Sequence, residues 1–327
     1  MELVCPAGTP ATLRAAVEAG ADAVYCGFRD DTNARNFPGL NFSPAELAEG
    51  VRFAHGHGAR VLVAINTFAR VGEIDRWRQA VDTAVRCGAD AVIAADLAVL
   101  DHMARAHPDV RLHLSVQAAA ATPEAIAFYA DAFGIHRVVL PRVLSVQEIA
   151  ALNRAIEVET EVFVFGGLCV MTEGRCYLSS YATGKSPNLN GVCSPPEFVD
   201  YSESAQGTTA RLGGFTIDRY APGAPAGYPT LCKGLFKAGG QTSHLFEDPV
   251  SLNAGSMLAA LKAAGVTAMK IEGRQRGKGY VGDVVRAFRR AVDAVEAGGE
   301  AIEIDRLLAA QSEGGRQTTG AYKKTWR

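Results

Sequence analysis

Through the first 165 residues, short apolar runs alternate with longer Ala-rich stretches. The runs are ELVC, AVYCG, RVLVAIN, AVIAAD, RLHLSVQ, RVVLP and EVFVFGG. Each is short, apolar and bounded by turn residues, the pattern of a buried strand. The stretches between them, such as TPATLRAAVEAGA and SPAELAEGVRFAHGHG, read as helices. Thr9-Pro10, Ser43-Pro44 and Thr122-Pro123 open three of them. A hydroxyl there caps free N–H groups, and proline suits the first helical position. Gly20, Gly58 and Gly88 stand where helices should stop, because glycine tolerates the left-handed turn that ends a helix.

A weak repeat supports the same reading. AGADAVYCG, CGADAVIAA and AGVTAMKIEG each give a helix end, a tight turn and a buried strand. An eighth strand, AMKIEG, follows the helical SLNAGSMLAALKAAG and precedes YVGDVVRAFRRAVDAVEAG. Eight strands with helices between them predict an α/β fold, a (β/α)8 TIM-like barrel over residues 1–297. A doubly wound open sheet is the competing arrangement. Residues 168–241 break the rhythm, being rich in Gly, Pro, Ser and Tyr, and form an insertion between strands seven and eight. GFTIDRY adds a short strand there. Residues 298–327 form a C-terminal extension.

Composition narrows the class. The 327 residues are 48% hydrophobic and 21% charged, as in ordinary soluble proteins, with net charge −2. No bulk attraction to nucleic acid or anionic lipid follows from that balance. The N-terminus lacks the basic and apolar regions of a signal peptide, and no apolar run approaches the about 20 residues of a membrane helix. These features point to a cytoplasmic chain with no transmembrane segment.

The cysteines change the picture. Of seven, Cys169, Cys176, Cys193 and Cys232 fall in the insertion. A structureless loop of that length needs an anchor, and thiolates on a metal supply one. The gaps lack the tight pairs usual for zinc. They suit a 4Fe–4S cluster, whose corners take ligands from several directions. Zinc, and buried unliganded thiol, stay open as alternatives. Cys5, Cys26 and Cys87 sit in strand and helix patterns and read as small hydrophobes.

EVFVFGGLCVMTEGRCYLS resembles the signature of the collagenase-like, U32-type peptidase family. Glu161, Phe163, Gly166, Cys169, Gly174, Cys176 and Ser179 stand at matching places, and Gly167 replaces the usual Ser or Ala. CPAG at Cys5–Gly8, ARNF at Ala34–Phe37, KIEGR at Lys270–Arg274 and the tail QTTGAYKKTWR extend the resemblance over nearly the whole chain. Length and tail are most similar to the ubiquinone-biosynthesis branch of the family. That resemblance implies a 4Fe–4S cluster on Cys169, Cys176, Cys193 and Cys232. It also implies a heterodimer with a UbiV-like paralogue, and oxygen-independent hydroxylation of a polyprenylated ubiquinone precursor. A lipid-binding accessory protein would present such a substrate, and prephenate is a candidate oxygen donor. The same resemblance leaves two alternatives, hydroxylation of tRNA or rRNA and a non-catalytic cluster-bearing scaffold. Peptidase chemistry is not supported, since neither HExxH nor GxSxG occurs.

Chemistry in a barrel sits at the C-terminal strand ends. Those ends read Cys5, Cys26, Asn66, Asp96, Gln117, Arg142, Gly166 and Glu272, with Arg274 just beyond. Glu272, Arg274 and Gln117 are the candidate catalytic residues. Arg35, Asn36 and Asn66 are the candidate substrate-binding residues, arginine for its carboxylate-matching fork. Glu272 and Arg274 read either as a substrate pair or as a salt bridge. His113 faces the barrel interior as a structural histidine, and His55, His57, His102 and His107 read as solvated. The basic tail, with Tyr322 and Trp326, is placed to dock on the barrel or a partner.

Overall fold

The computed structural model describes residues 1–171, 173–187, 191–299 and 302–323. Eight parallel strands form a closed barrel: β1 (Glu2–Pro6), β2 (Ala23–Cys26), β3 (Arg60–Ile65), β4 (Ala91–Ala94), β5 (Arg111–Leu114), β6 (Arg137–Val139), β7 (Glu159–Gly167) and β14 (Ala268–Ile271). Closure comes from β14 pairing with both β1 and β7. Helices α1 (Pro10–Glu18), α2 (Pro44–Gly56), α3 (Ile74–Arg86), α4 (Leu97–Ala106), α5 (Pro123–Phe133) and α6 (Val146–Asn153) connect the first seven strands. The predicted caps operate: Thr9, Ser43 and Thr122 accept N–H bonds at helix starts. Gly20, Gly58 and Gly88 adopt positive φ at helix ends. No helix among the described residues is long and apolar enough to cross a membrane.

Strand alternation sorts the side chains into two layers. One face packs apolar residues against the helices, and Cys5 and Cys26 lie in that outer layer rather than at the mouth. The other face fills the interior with Val4, Ala23, Tyr25, Leu62, Ala64, Ala91, Ile93 and Ala268. Beside them runs a ladder of buried charge. Arg137 bonds Glu2 at 2.6 Å, Glu159 at 2.7 Å and Glu161 at 3.2 Å, and Glu161 bonds Lys270 at 2.6 Å. Alternation on β7 sends Glu159 and Glu161 inward, and Lys270 follows suit on β14, with Glu272 just past its end. His113 is buried, with neither ring nitrogen bonded among the described residues. Burial, with Arg137 next, pushes it well below the usual histidine range, so the ring is neutral.

Between β7 and β14 the chain is built rather than structureless. After α7 (Leu178–Thr183), strands β8 (Val199–Ser204), β9 (Gly207–Leu212) and β10 (Phe215–Tyr220) make an antiparallel sheet. The predicted GFTIDRY strand is β10. A hairpin of β11 (Leu235–Ala238) and β12 (Gln241–His244) carries the folded segment past residue 241. The stretch predicted as one helix from Ser251 divides. Its first residues form β13 (Ser251–Asn253), which pairs antiparallel with the end of β7. Only Leu258–Ala263 is α-helical, as α8. Pairing wins because β7 runs on to Gly167, beyond its parallel neighbours, and leaves backbone groups to satisfy.

The remainder closes over this region. After α9 (Lys278–Glu296) and α10 (Asp305–Leu308), β15 (Gln317–Thr318) pairs with β13. Tyr322 is buried and donates to the Phe163 carbonyl at 2.5 Å, so the tail docks on the barrel. Trp326, named with that tail, and its basic neighbours Lys324 and Arg327 lie outside the described residues.

Candidate active site

The strand ends open on a concave space of about 600 Å³, part of it open solvent. Tyr25, Arg35, Asn66, Gln117, Arg142, Phe163, Glu173, Lys270, Glu272 and Arg274 are among its lining residues. Five of the six sequence candidates therefore meet at one place. Asn36 is half-buried in the loop after β2 and does not line the space. Asp96 is also elsewhere, capping α4 and accepting the Ala69 N–H.

Two arginines converge on Glu272, Arg35 at 3.2 Å and Arg142 at 2.9 Å. Burial alone would raise this carboxyl; the two guanidiniums outweigh it and hold Glu272 below the ordinary range. Glu272 does not pair with Arg274, contrary to one sequence expectation. Arg142 also pairs with Glu173 and stacks 3.4 Å above the Phe163 ring centre. Burial lifts Glu173 to about 7 despite that arginine. Glu173, Lys270 and Tyr25 were missed from sequence. Lys270 sits inside the quoted KIEGR motif, two positions before Glu272, and that spacing at the strand end was a usable signal.

Arg274 is different. It is buried, and among the described residues its side chain hydrogen-bonds only Asn33 Oδ1, at 3.2 Å. No carboxylate pairs with it among the described residues. Burial pulls its ordinary value down to about 10. Asn66 spans two loops, accepting from the Ala34 N–H and donating to Ser115 Oγ.

The cysteine segment lies directly on this mouth. A Cβ on Gly174 would stand 2.2 Å from the Gln117 carbonyl oxygen, and one on Gly191 2.1 Å from that of Ala34. Both glycines have positive φ, at +75° and +73°. Arg35 crosses the seam, donating to the Gly191 carbonyl at 3.0 Å. Further along, Tyr228 donates to the Ser194 carbonyl at 3.1 Å, and Ser194 Oγ bonds the Pro229 carbonyl. Those bonds hold the Cys193 turn against the chain that leads to Cys232. Lys233, next in sequence, is buried against Glu313.

The four thiols influence one another. Cys193 acts on Cys169, and both Cys193 and Cys176 act on Cys232. Burial raises Cys169 and Cys232 to about 12 and raises Cys193 as well, with Arg35 opposing at Cys193. Cys169, Cys176 and Cys232 are half-buried and Cys193 is exposed; thiols so placed beside cations fit a cationic metal centre that would ionise them. Among the described residues no three of these sulfurs lie within 4.8 Å of one another. A single zinc, with Zn–S near 2.3 Å, needs sulfurs about 3.8 Å apart. A cluster that gives each thiolate its own iron tolerates the wider spread. Cys5 and Cys26 stay outside this group, pushed up by burial, and Cys87 bonds the Pro44 carbonyl at 3.3 Å.

A parallel barrel with a charged mouth, covered by a loop bearing four cysteines, defines the architecture. The chain belongs to peptidase family U32, whose model matches residues 8–323. The tRNA hydroxylation protein P1 of Bacillus subtilis is 30% identical over 295 residues, 90% of this chain and 63% of that protein. The 23S rRNA 5-hydroxycytidine C2501 synthase of Escherichia coli is 31% identical over 299 residues, 90% of this chain and 40% of that protein. A collagenase of Porphyromonas gingivalis is 27% identical over 304 residues, covering 90% and 66%. The chain thus spans two-fifths to two-thirds of the length of these relatives.

Proposed function

We propose that this chain is the iron–sulfur component of an oxygen-independent hydroxylase. Its reaction centre is the barrel mouth, and Cys169, Cys176, Cys193 and Cys232 hold a 4Fe–4S cluster. The observation that carries the reading is Arg274, a buried guanidinium at the mouth with no carboxylate partner among the described residues. A buried charge without a counter-ion is costly, and an anionic ligand group would relieve it. A guanidinium matches both carboxylate and phosphate. When bound, a cluster closed by four thiolates supplies electron transfer.

The chain's own residues divide the remaining work. Arg274 anchors the anion, and Lys270, which also lines the space, stays paired with Glu161. Arg35 and Arg142 orient Glu272 and keep it ionised. Glu173, lifted to about 7, is able to hold a proton near neutral pH. Gln117 and Asn66 offer neutral donors and acceptors to a polar ring edge. The Gly174 and Gly191 contacts keep the cysteine loop seated and exclude water from that side. Prephenate, as oxygen donor, has carboxylates of the kind Arg274 would take.

The relatives' names favour an RNA base as the group hydroxylated. The second reading is a ubiquinone precursor, worked on with a UbiV-like paralogue. The net charge of −2 favours it, since the chain lacks a bulk pull toward phosphodiester. A strain without this chain, grown with and without oxygen, separates the two. Loss of a hydroxylated tRNA or rRNA nucleoside with normal ubiquinone supports the RNA reading. A fall in ubiquinone confined to the anaerobic culture, with unhydroxylated precursor accumulating, supports the second. Unchanged nucleosides and quinones would overturn both.

A further inference from the structure

On the outer surface of the barrel, away from the mouth, three side chains converge between α3 and α4. Asp82 comes from α3, His102 from α4, and His107 from the residue that ends α4. His102 Nε2 lies 2.8 Å and His107 Nε2 2.7 Å from the same oxygen, Asp82 Oδ1. All three donor atoms lie within 4.8 Å of one another. The rings meet edge to face at 83°, with centres 5.9 Å apart. The side chains are 35%, 21% and 21% exposed in the order Asp82, His102, His107. They are half-buried, with one side open to water. None of them lines the mouth.

The local backbone produces this convergence. Residues five apart do not share a helix face, since one-turn neighbours are three and four apart. His107 is no longer helical: its φ of −136° and ψ of 55° turn the chain back, and its ring returns beside His102. The surface-helix pattern hid this, and neither histidine is freely solvated as the sequence suggested. His55 is half-exposed and bonds Asp90 at 2.9 Å.

We infer that Asp82, His102 and His107 form a divalent-cation site, with zinc the best-matched ion, that clips α3 to α4. Two imidazole nitrogens and one carboxylate oxygen are a donor set for borderline divalent ions. A tetrahedral zinc with bonds of about 2.0–2.2 Å needs its donors about 3.4 Å apart. The present 2.7 and 2.8 Å separations must open by roughly 0.6 Å, within reach of small χ changes in half-exposed side chains. Each Nε2 then gives its lone pair to the ion, and the ring proton sits on Nδ1. The open side leaves room for water as a further ligand. The distance from the mouth makes the role structural, a brace between two outer helices.

The test uses the full untagged chain, stripped of loosely held metal and given zinc in small excess. Zinc per chain is counted by mass spectrometry after gel filtration, and affinity is measured with a competing chelator. The site predicts about one zinc per chain and a raised melting temperature. The H102N/H107N double variant should bind at least tenfold more weakly, without that melting shift. Its iron content and circular dichroism should match the parent. H107Q, at the helix end, carries the same comparison if the double variant folds poorly. Because the readout is the difference between parent and histidine variants, it stands whether or not the cysteines hold iron. Equal zinc affinity in parent and variants, or no zinc bound by the parent, would overturn the inference.

Discussion

Replacing Arg142 by methionine isolates what holds the mouth together. The guanidinium is buried, bonds Glu272 at 2.9 Å, pairs with Glu173 and stacks on Phe163. Methionine keeps much of the volume but takes the counter-ion from buried Glu173 and leaves half-buried Glu272 with Arg35 alone. Breaking a buried pair in this way costs about 3–5 kcal/mol. The lost stacking belongs to the same unit and does not add independently. With a urea m-value of about 3 kcal/mol per molar, the unfolding midpoint should fall by about 1–1.7 M. Converting Glu173 and Glu272 to glutamine in the same chain removes the two carboxylates that Arg142 served, and at least half of the loss should return. An R142M change costing under about 1 kcal/mol, or no recovery in the triple variant, would refute this account of the mouth.

Other perturbations probe the seam and its ionisation. G174A and G191A each push a Cβ to 2.2 and 2.1 Å from a backbone oxygen at positive φ. Both should unseat the cysteine loop and lower iron retained after anaerobic purification, whereas G72A, with no atom within 4 Å, should leave it unchanged. Equal iron in all three would count against a seated loop. Glu272 is held below its unfolded value, so its contribution to stability is fully present above about pH 4.3 and is lost as pH falls through the folded value. E272Q should flatten the acid limb of the urea-midpoint profile, and a limb identical to the parent's would contradict the pairing. R274A should abolish turnover yet leave iron content and urea midpoint within about 1 kcal/mol of the parent, or above it, because it removes an uncompensated charge. A large loss of stability would instead make Arg274 structural.

The barrel was legible because its signals are local and repeated. Helix caps at Thr9, Ser43 and Thr122, stop glycines and seven short apolar runs each fix one element without reference to the rest. Gln117, Glu272 and Arg274 were found for a related reason: a parallel barrel gathers its strand ends at one rim. Glu173 was missed because the cysteine loop brings it to the mouth, an encounter that strand order does not encode. The partners of Glu272 were misjudged because Arg35 and Arg142 are 237 and 130 positions away. The antiparallel β13 was read as helix because its Ser-Leu-Asn has no strand pattern of its own. Its conformation comes from the overhanging end of β7. The Asp82 cluster was hidden for the same reason, since a chain reversal at His107 makes it.

Iron and acid-labile sulfide, counted on the chain purified without oxygen, test the central claim most directly. The account predicts about four of each per chain, with a visible absorbance that bleaches on reduction. A double change to alanine at any two of Cys169, Cys176, Cys193 and Cys232 should abolish it, and C87A should leave it intact. Zinc in place of iron, or a cluster that survives loss of both Cys193 and Cys232, would contradict the account.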